Sequence, residues 1–220
     1  MNQGKALVQR WQKVCDALSL SDTSLLAVSK YTSDDAVQIL ADAGQADFAE
    51  SKPQRLRDRA ATFPSLRWHF IGHLQKNKAK YVGRYAAMWH SLCDMDTALA
   101  VAKYVQNRVL PVLIQVNISG EPQKQGVQPE GVEELYEALQ SVASLEVIGL
   151  MGMASRDGDV QGAFARLRVL RSDMQQKHGK VRELCMGMSG DWKIAVQEGA
   201  TMVRLGSTLF AEYKPENVKI

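Results

Sequence analysis

Lys30 is the residue whose position in the sequence most clearly suggests chemistry. It ends residues 25–30 (LLAVSK), a short apolar run followed by polar residues, which predicts a strand buried on both faces. The carboxyl ends of parallel strands form the edge at which α/β proteins build their sites. A lysine there is either a rim residue that reaches water or a Schiff-base lysine whose amine is partly desolvated. The residue alone leaves both interpretations open.

Two later segments carry glycine and hydroxyl residues where strands are predicted to end. Residues 186–191 (MGMSGD) include Ser189, and residues 204–208 (RLGST) include Gly206 and Ser207. Glycine lets backbone N–H groups approach an anion closely, and β/α barrels often bind phosphate between their last two such loops. These segments predict a phosphate site, with ordinary turns as the alternative.

Arg204 lies two residues before Gly206, so both residues face the same side of the predicted strand. An arginine that points into a barrel is costly unless it has a partner. One interpretation is therefore an outward arginine paired with a helix carboxylate. The other is an inward arginine that donates a hydrogen bond to a ring nitrogen of a ligand.

The histidines do not predict a metal site. His69 and His73 are four residues apart, but they lie on a predicted strand and its turn, with no glutamate between them. We interpret His90 as an ordinary strand residue. The sequence also lacks a nucleophile elbow of the Ser/His/Asp type.

The elements that would position these residues alternate strictly between strand and helix after a leading helix at residues 1–18. We predict eight strands, at residues 25–30, 47–51, 67–72, 88–93, 110–117, 145–153, 183–189 and 201–207. Strict alternation predicts parallel strands, and eight such units predict a closed (β/α)8 barrel of the TIM type, in a single domain over residues 1–220. The alternative, an open doubly wound sheet, would be expected to carry a glycine-rich loop after the first strand, where this chain has Ser-Lys-Tyr-Thr.

The composition is that of an ordinary globular protein of 220 residues, with 45% hydrophobic and 23% charged residues. A net charge of +3 does not by itself indicate a nucleic-acid partner. The three cysteines are far apart and unpaired in spacing, which suits a reducing compartment. No apolar run approaches the ~20 residues of a membrane span. We therefore expect a cytoplasmic protein.

Several segments together resemble the pyridoxal-phosphate homeostasis protein family, which looks like the barrel domain of alanine racemase standing alone. They are residues 25–30 (LLAVSK), 68–78 (WHFIGHLQKNK), 112–119 (VLIQVNIS), 149–151 (GLM), 186–189 (MGMS) and 202–206 (MVRLG). They occur in the order of the family, and the run WHFIGHLQ is highly specific to it.

The resemblance implies a cofactor, pyridoxal 5′-phosphate (PLP), held as a Schiff base on Lys30. It also implies that Arg204 contacts the pyridine nitrogen and that Ser189, Gly206 and Ser207 hold the phosphate. We include three more residues in the expected cofactor site: Ser51, His69 and Asn117. Ser51 departs from the family pattern, in which the second strand usually ends Phe-Gly-Glu-Asn and here reads FAES.

The expected function is intracellular PLP homeostasis, by buffering or delivering the cofactor, without catalytic turnover. We expect a monomer whose partners are PLP, apo-enzymes that need PLP, or amino acids, with no nucleic acid and no membrane. The alternative is a PLP-dependent amino-acid racemase, which needs an acid or base on each face of the substrate carbon. Lys30 could serve one face. Strand alternation predicts that Tyr31 points away from the side that Lys30 faces, and the chain ends soon after the eighth strand, without the extra domain of racemases.

Overall fold

The computed structural model describes residues 3–121, 124–155, 157–211 and 213. Its strands are β1 (Ser24–Val28), β2 (Asp47–Glu50), β3 (Arg67–Phe70), β4 (Met88–Leu92), β5 (Leu110–Val116), β6 (Leu145–Gly152), β7 (Glu183–Cys185) and β8 (Met202–Leu205). Each strand pairs in parallel with the next, and β8 pairs with β1, so the sheet closes. The predicted (β/α)8 barrel is therefore confirmed, and the alternative of an open sheet is wrong.

Helices connect the strands on the outside of the barrel. They are α1 (Gln3–Leu18), α2 (Asp34–Asp42), α3 (Pro53–Thr62), α4 (Ala79–Tyr85), α5 (Met95–Ala102), α6 (Val132–Leu139), α7 (Val160–His178), α8 (Trp192–Gln197) and α9 (Ser207–Phe210). Short 3₁₀ turns at Lys76–Lys78 and Pro129–Gly131 lead into α4 and α6. The first helix was predicted from residue 1, and residues 1 and 2 lie outside the described residues.

The helix that follows Lys30 begins where its sequence predicts. The Ser33 hydroxyl accepts a hydrogen bond from the backbone N–H of Ala36 at 3.3 Å, which caps the amino end of α2. Asp34 and Asp35 in the first turn interact favourably with the helix dipole. These interactions fix the point at which the chain leaves the turn that carries Lys30.

Two apolar layers stabilise the barrel. The larger layer lies between the sheet and the helices and includes Phe48 and Trp68, whose ring centroids are 5.4 Å apart. The smaller layer fills the barrel interior, and it consists of Leu26, Val28, Ala49, Leu113, Met151, Cys185 and Met202. Because side chains alternate along each strand, successive residues supply the two layers in turn.

Several strands end earlier than the sequence predicts. β1 ends at Val28, two residues before Lys30, and β7 ends at Cys185 rather than at residue 189. β8 spans Met202–Leu205 rather than residues 201–207. After β7 the chain turns at Gly187, whose φ of +91° favours glycine and where a Cβ would lie 2.6 Å from the Ala195 Cβ. The residues beyond the strand ends therefore form loops.

Within the described part of the chain, no helix is both long enough and apolar enough to cross a membrane.

Candidate functional site

Lys30 lies in a turn at the carboxyl end of the barrel, just beyond β1. The residue is half-buried, and its Nζ lies over the ring of Tyr31, 5.0 Å from the ring centroid. The prediction that Tyr31 points away from Lys30 is wrong. Strand alternation does not apply here because both residues follow the end of the strand.

A set of hydrogen bonds from β2 and α3 holds this turn in place. The Ser29 hydroxyl donates to Glu50 Oε1 at 2.7 Å. On the other side of Lys30, the carbonyl oxygen of Thr32 accepts hydrogen bonds from Arg55 Nη2 at 2.6 Å and from Arg59 Nη2 at 2.7 Å. The residues that flank Lys30 are thus tied to the neighbouring β/α unit.

Glu50 is a fully buried carboxylate next to Lys30. Burial raises its pKa, while the Ser29 hydrogen bond and the charges of Arg55, Arg59 and Lys30 oppose the rise. The Nε atoms of Arg59 and Arg55 lie 3.7 and 3.8 Å from Glu50 Oε1. Sequence reasoning did not assign a role to Glu50 or to either arginine. The positions of these three residues in the sequence gave no sign that their side chains would converge on the Lys30 turn.

Ser51 directly follows β2, which ends one residue earlier than the predicted strand 47–51, and it packs closely against the chain just beyond β3. A Cβ at Gly72 would lie 2.0 Å from the Ser51 carbonyl oxygen, so a side chain at residue 72 would collide with the backbone of Ser51. Ser51 is half-buried. The close packing fixes its position relative to the neighbouring strand, and its contact with a cofactor stays a prediction.

The loops after β7 and β8, in which the phosphate site is predicted, are joined by a hydrogen bond. Ser189 Oγ accepts a hydrogen bond from the backbone N–H of Thr208 at 3.1 Å. Gly206 directly follows β8 and precedes α9, and Ser207 is the exposed first residue of α9. At Gly206 a Cβ would lie 3.4 Å from the Val28 carbonyl oxygen, which places this loop beside the end of β1.

Arg204 points into the barrel, and 4% of the residue is exposed. Its Nη1 donates to the carbonyl oxygen of Cys185 at 3.1 Å and to Cys185 Sγ at 3.2 Å, and its Nη2 donates to the carbonyl oxygen of Gly152 at 3.0 Å. Among the described residues, no carboxylate forms an ion pair with it. The structure therefore contradicts the outward interpretation of Arg204, and a hydrogen bond from its guanidinium to a ligand ring nitrogen stays a prediction.

His69 and Asn117 already have hydrogen-bond partners within the protein. His69 Nε2 lies 3.1 Å from Asp47 Oδ1, and His69 Nδ1 lies 2.8 Å from His90 Nε2. Asn117 Nδ2 donates to the Glu121 carbonyl oxygen at 2.9 Å, and Asn117 Oδ1 accepts from the Ser119 hydroxyl at 2.9 Å. A direct bond from either side chain to a cofactor stays a prediction, and it would replace one of these contacts.

Among the residues that the structure describes, no three or more His, Cys, Asp or Glu side chains are grouped so that they could hold a metal ion.

Known proteins resemble this chain over nearly its whole length. Residues 3–214 match the family described as alanine racemase, N-terminal domain. A pyridoxal phosphate homeostasis protein of Aquifex aeolicus is 34% identical over 218 residues, which cover 94% of this chain and 96% of the relative. A protein of the same name from Deinococcus radiodurans is 40% identical over 190 residues, with 85% of this chain and 88% of the relative covered.

Solved structures show the same architecture. PipY of Synechococcus elongatus PCC7942, with PLP bound, is 29% identical and superimposes with a TM-score of 0.84 over 93% of this chain and 99% of PipY. Alanine racemase from Corynebacterium glutamicum shares the fold at 15% identity, with a TM-score of 0.75 over 98% of this chain and 63% of the racemase. From its sequence and its barrel, this chain belongs to the family of pyridoxal phosphate homeostasis proteins.

Proposed function

We propose that this protein binds PLP as a Schiff base on Lys30 and that it takes part in PLP homeostasis by buffering or delivering the cofactor. The observation that carries the proposal is the placement of Lys30 just beyond β1, in a turn clamped on both sides. The PLP-bound PipY structure supports it, since PipY has the same barrel.

The residues around Lys30 fit the chemistry of PLP, a pyridine ring that carries an aldehyde and a phosphate. The Lys30 amine would condense with the aldehyde, whose oxygen would leave as water. The loops of Ser189, Gly206 and Ser207 are joined by the Ser189–Thr208 hydrogen bond and offer hydroxyl and backbone donors for the phosphate.

Arg204 is the proposed partner of the ring nitrogen. A guanidinium keeps its protons, so Arg204 can only donate a hydrogen bond to that nitrogen and leaves it without a proton of its own. When bound, PLP can withdraw electrons from an attached amino acid, and an unprotonated ring does so weakly. This arrangement suits holding the cofactor more than it suits catalysis.

Three further residues belong to the proposed site in different ways. Ser51 directly follows Glu50, the last residue of β2. Asn117 shapes the loop after β5 through its bonds to Ser119 and Glu121. His69 lies in the barrel interior, where its two ring nitrogens contact other side chains.

We place the protein in the cytoplasm as a monomer whose partners are apo-enzymes that need PLP, or amino acids.

The experiment that tests the proposal is cofactor transfer in the presence of a scavenger. The loaded protein is mixed with an apo-enzyme that requires PLP, together with a phosphatase that destroys free PLP. We expect the apo-enzyme to regain activity faster than it does with the same amount of free PLP. If the phosphatase abolishes recovery equally in both mixtures, delivery is refuted. If the protein takes up no PLP, the binding proposal itself is wrong.

A further inference from the structure

A continuous chain of five polar side chains crosses the barrel interior. It begins at Asp47 on β2 and passes through His69 on β3 and His90 on β4. It continues from His90 Nδ1 to Cys185 Sγ at 3.3 Å, and from Cys185 Sγ to Arg204 Nη1 at 3.2 Å. Four of the five residues, all except Asp47, are at least 96% buried. We call these residues the interior chain.

The two ends of the interior chain fix its direction. Burial would raise the pKa of Asp47, but hydrogen bonds from His69 and Arg67 outweigh it and lower the pKa to about 2. Asp47 is therefore a carboxylate at neutral pH and can only accept. Arg204, at the opposite end, can only donate. With one proton on each imidazole, the groups between them pass donors and acceptors in one order.

That order gives each proton a defined position. His69 Nε2 carries a hydrogen because it faces the carboxylate of Asp47. With one proton on each imidazole, His69 Nδ1 accepts from His90 Nε2–H, and His90 Nδ1 accepts from the thiol of Cys185. Burial holds the pKa of His90 well below its usual value, and the charge of Arg204 acts in the same direction, which keeps this ring neutral.

Cys185 is the point at which the interior chain reaches Arg204. Its buried thiol has a raised pKa because burial outweighs the effect of Arg204, so the sulfur keeps its proton and can donate to His90. The same sulfur accepts from Arg204 Nη1, and the Cys185 carbonyl oxygen accepts the second Nη1 proton. The Gly152 carbonyl oxygen accepts one proton of Arg204 Nη2.

We propose that Cys185 is a positioning residue for Arg204: the interior chain orients the thiol, and the thiol fixes the rotation of the guanidinium toward the ring nitrogen of the cofactor. A polar network in a barrel interior is rigid when its members are satisfied, and it specifies one arrangement. The inference rests on the proposed function, because it assigns Arg204 to the pyridine nitrogen.

The first test compares two cofactors that differ only at the ring nitrogen. PLP and its deaza analogue, in which a C–H group replaces that nitrogen, are titrated against wild type, Cys185→Ala and Cys185→Ser. We expect Cys185→Ala to weaken PLP about tenfold and to leave the analogue unchanged. Serine keeps a donor and an acceptor, so Cys185→Ser should stay within about threefold of wild type for both ligands.

A matched control separates positioning from packing. Leu113 is fully buried in the same interior layer, and Leu113→Val changes the volume without touching a polar group. We expect it to affect PLP and the analogue equally. Equal weakening of the two ligands by Cys185→Ala, or no weakening of either, would overturn the proposal.

The second test reads the interior chain without any cofactor. Ring-nitrogen NMR shifts of ¹⁵N-histidine-labelled apo-protein report which nitrogen carries the proton. We expect His69 and His90 both to be protonated at Nε2, and His90 Nδ1 to lose its hydrogen-bonded shift in Cys185→Ala. A proton on Nδ1 of His90 would overturn the proposed direction. Because this readout needs no PLP, a failure to bind PLP would refute the proposed function and leave the interior chain to be judged separately.

Discussion

Asp47→Asn tests the electrostatic end of the interior chain. Asp47 begins β2, and its side chain is 22% exposed. Its Oδ1 accepts hydrogen bonds from Arg67 Nε at 2.6 Å and from His69 Nε2 at 3.1 Å. Asparagine keeps the shape and removes the charge that both donors face. We expect the variant to fold with a lower free energy of unfolding at neutral pH.

The size of the effect follows from the pKa of Asp47. Burial by itself would raise that pKa, and the bonds from His69 and Arg67 lower it from 3.8 to about 2. The difference, at about 1.36 kcal/mol for each pKa unit, corresponds to about 2 kcal/mol of stability. Because the folded-state pKa is depressed, this contribution is complete above pH 3.8 and is lost as the pH falls through 2.

The assay is urea unfolding of wild type and Asp47→Asn between pH 7 and pH 2, followed by tryptophan fluorescence and by circular dichroism, with coincident transitions as the check for two-state behaviour. We expect a difference of about 2 kcal/mol at pH 7 that shrinks towards zero near pH 2. Asp96→Asn is the control, since Asp96 is exposed and forms a surface ion pair with Lys76. A difference that stays constant down to pH 2 would refute the reasoning.

Three further predictions concern the phosphate loops, the close packing of the sheet and the absence of turnover. Ser189→Ala should weaken PLP about tenfold or more and leave pyridoxal, which lacks the phosphate, unchanged in parallel titrations. Gly149→Ala should lower the free energy of unfolding by about 1–3 kcal/mol in urea, because its Cβ would lie 2.1 Å from the Glu183 carbonyl oxygen; Gly190→Ala, with open space, should not. The loaded protein should not racemise alanine at a rate near the ~10 s⁻¹ typical of enzymes, as followed by α-proton exchange and optical rotation in heavy water.

The barrel could be predicted because its strands form short apolar runs at regular intervals, which is the pattern of parallel strands buried on both faces. The residues at which the strands end could not be predicted from this pattern. Lys30 lies in a turn because Ser29 and Thr32 bond to groups from the next β/α unit, and those partners are 20 or more residues away. The hydrophobic pattern carries no signal for such contacts.

The interior chain could not be predicted from the sequence for a similar reason. Asp47 and Arg204 are far apart in the sequence, and only the closure of the barrel brings their strands around one interior. Strand alternation offered a partial signal. It placed Arg204 and Gly206 on the same side of the strand, but it did not show whether that side faces the barrel interior. The interpretation of His90 as an ordinary strand residue missed its two polar neighbours, His69 and Cys185, which lie on other strands.

The measurement that tests the central claim most directly is reductive trapping of the cofactor. The protein is loaded with PLP, reduced with borohydride, digested and analysed by peptide mass spectrometry, with Lys30→Arg treated in parallel. The account predicts that wild type is yellow before reduction, that the adduct is on Lys30, and that the variant carries no stoichiometric adduct. A stoichiometric adduct on another lysine of the wild type, with Lys30 unmodified, would contradict it.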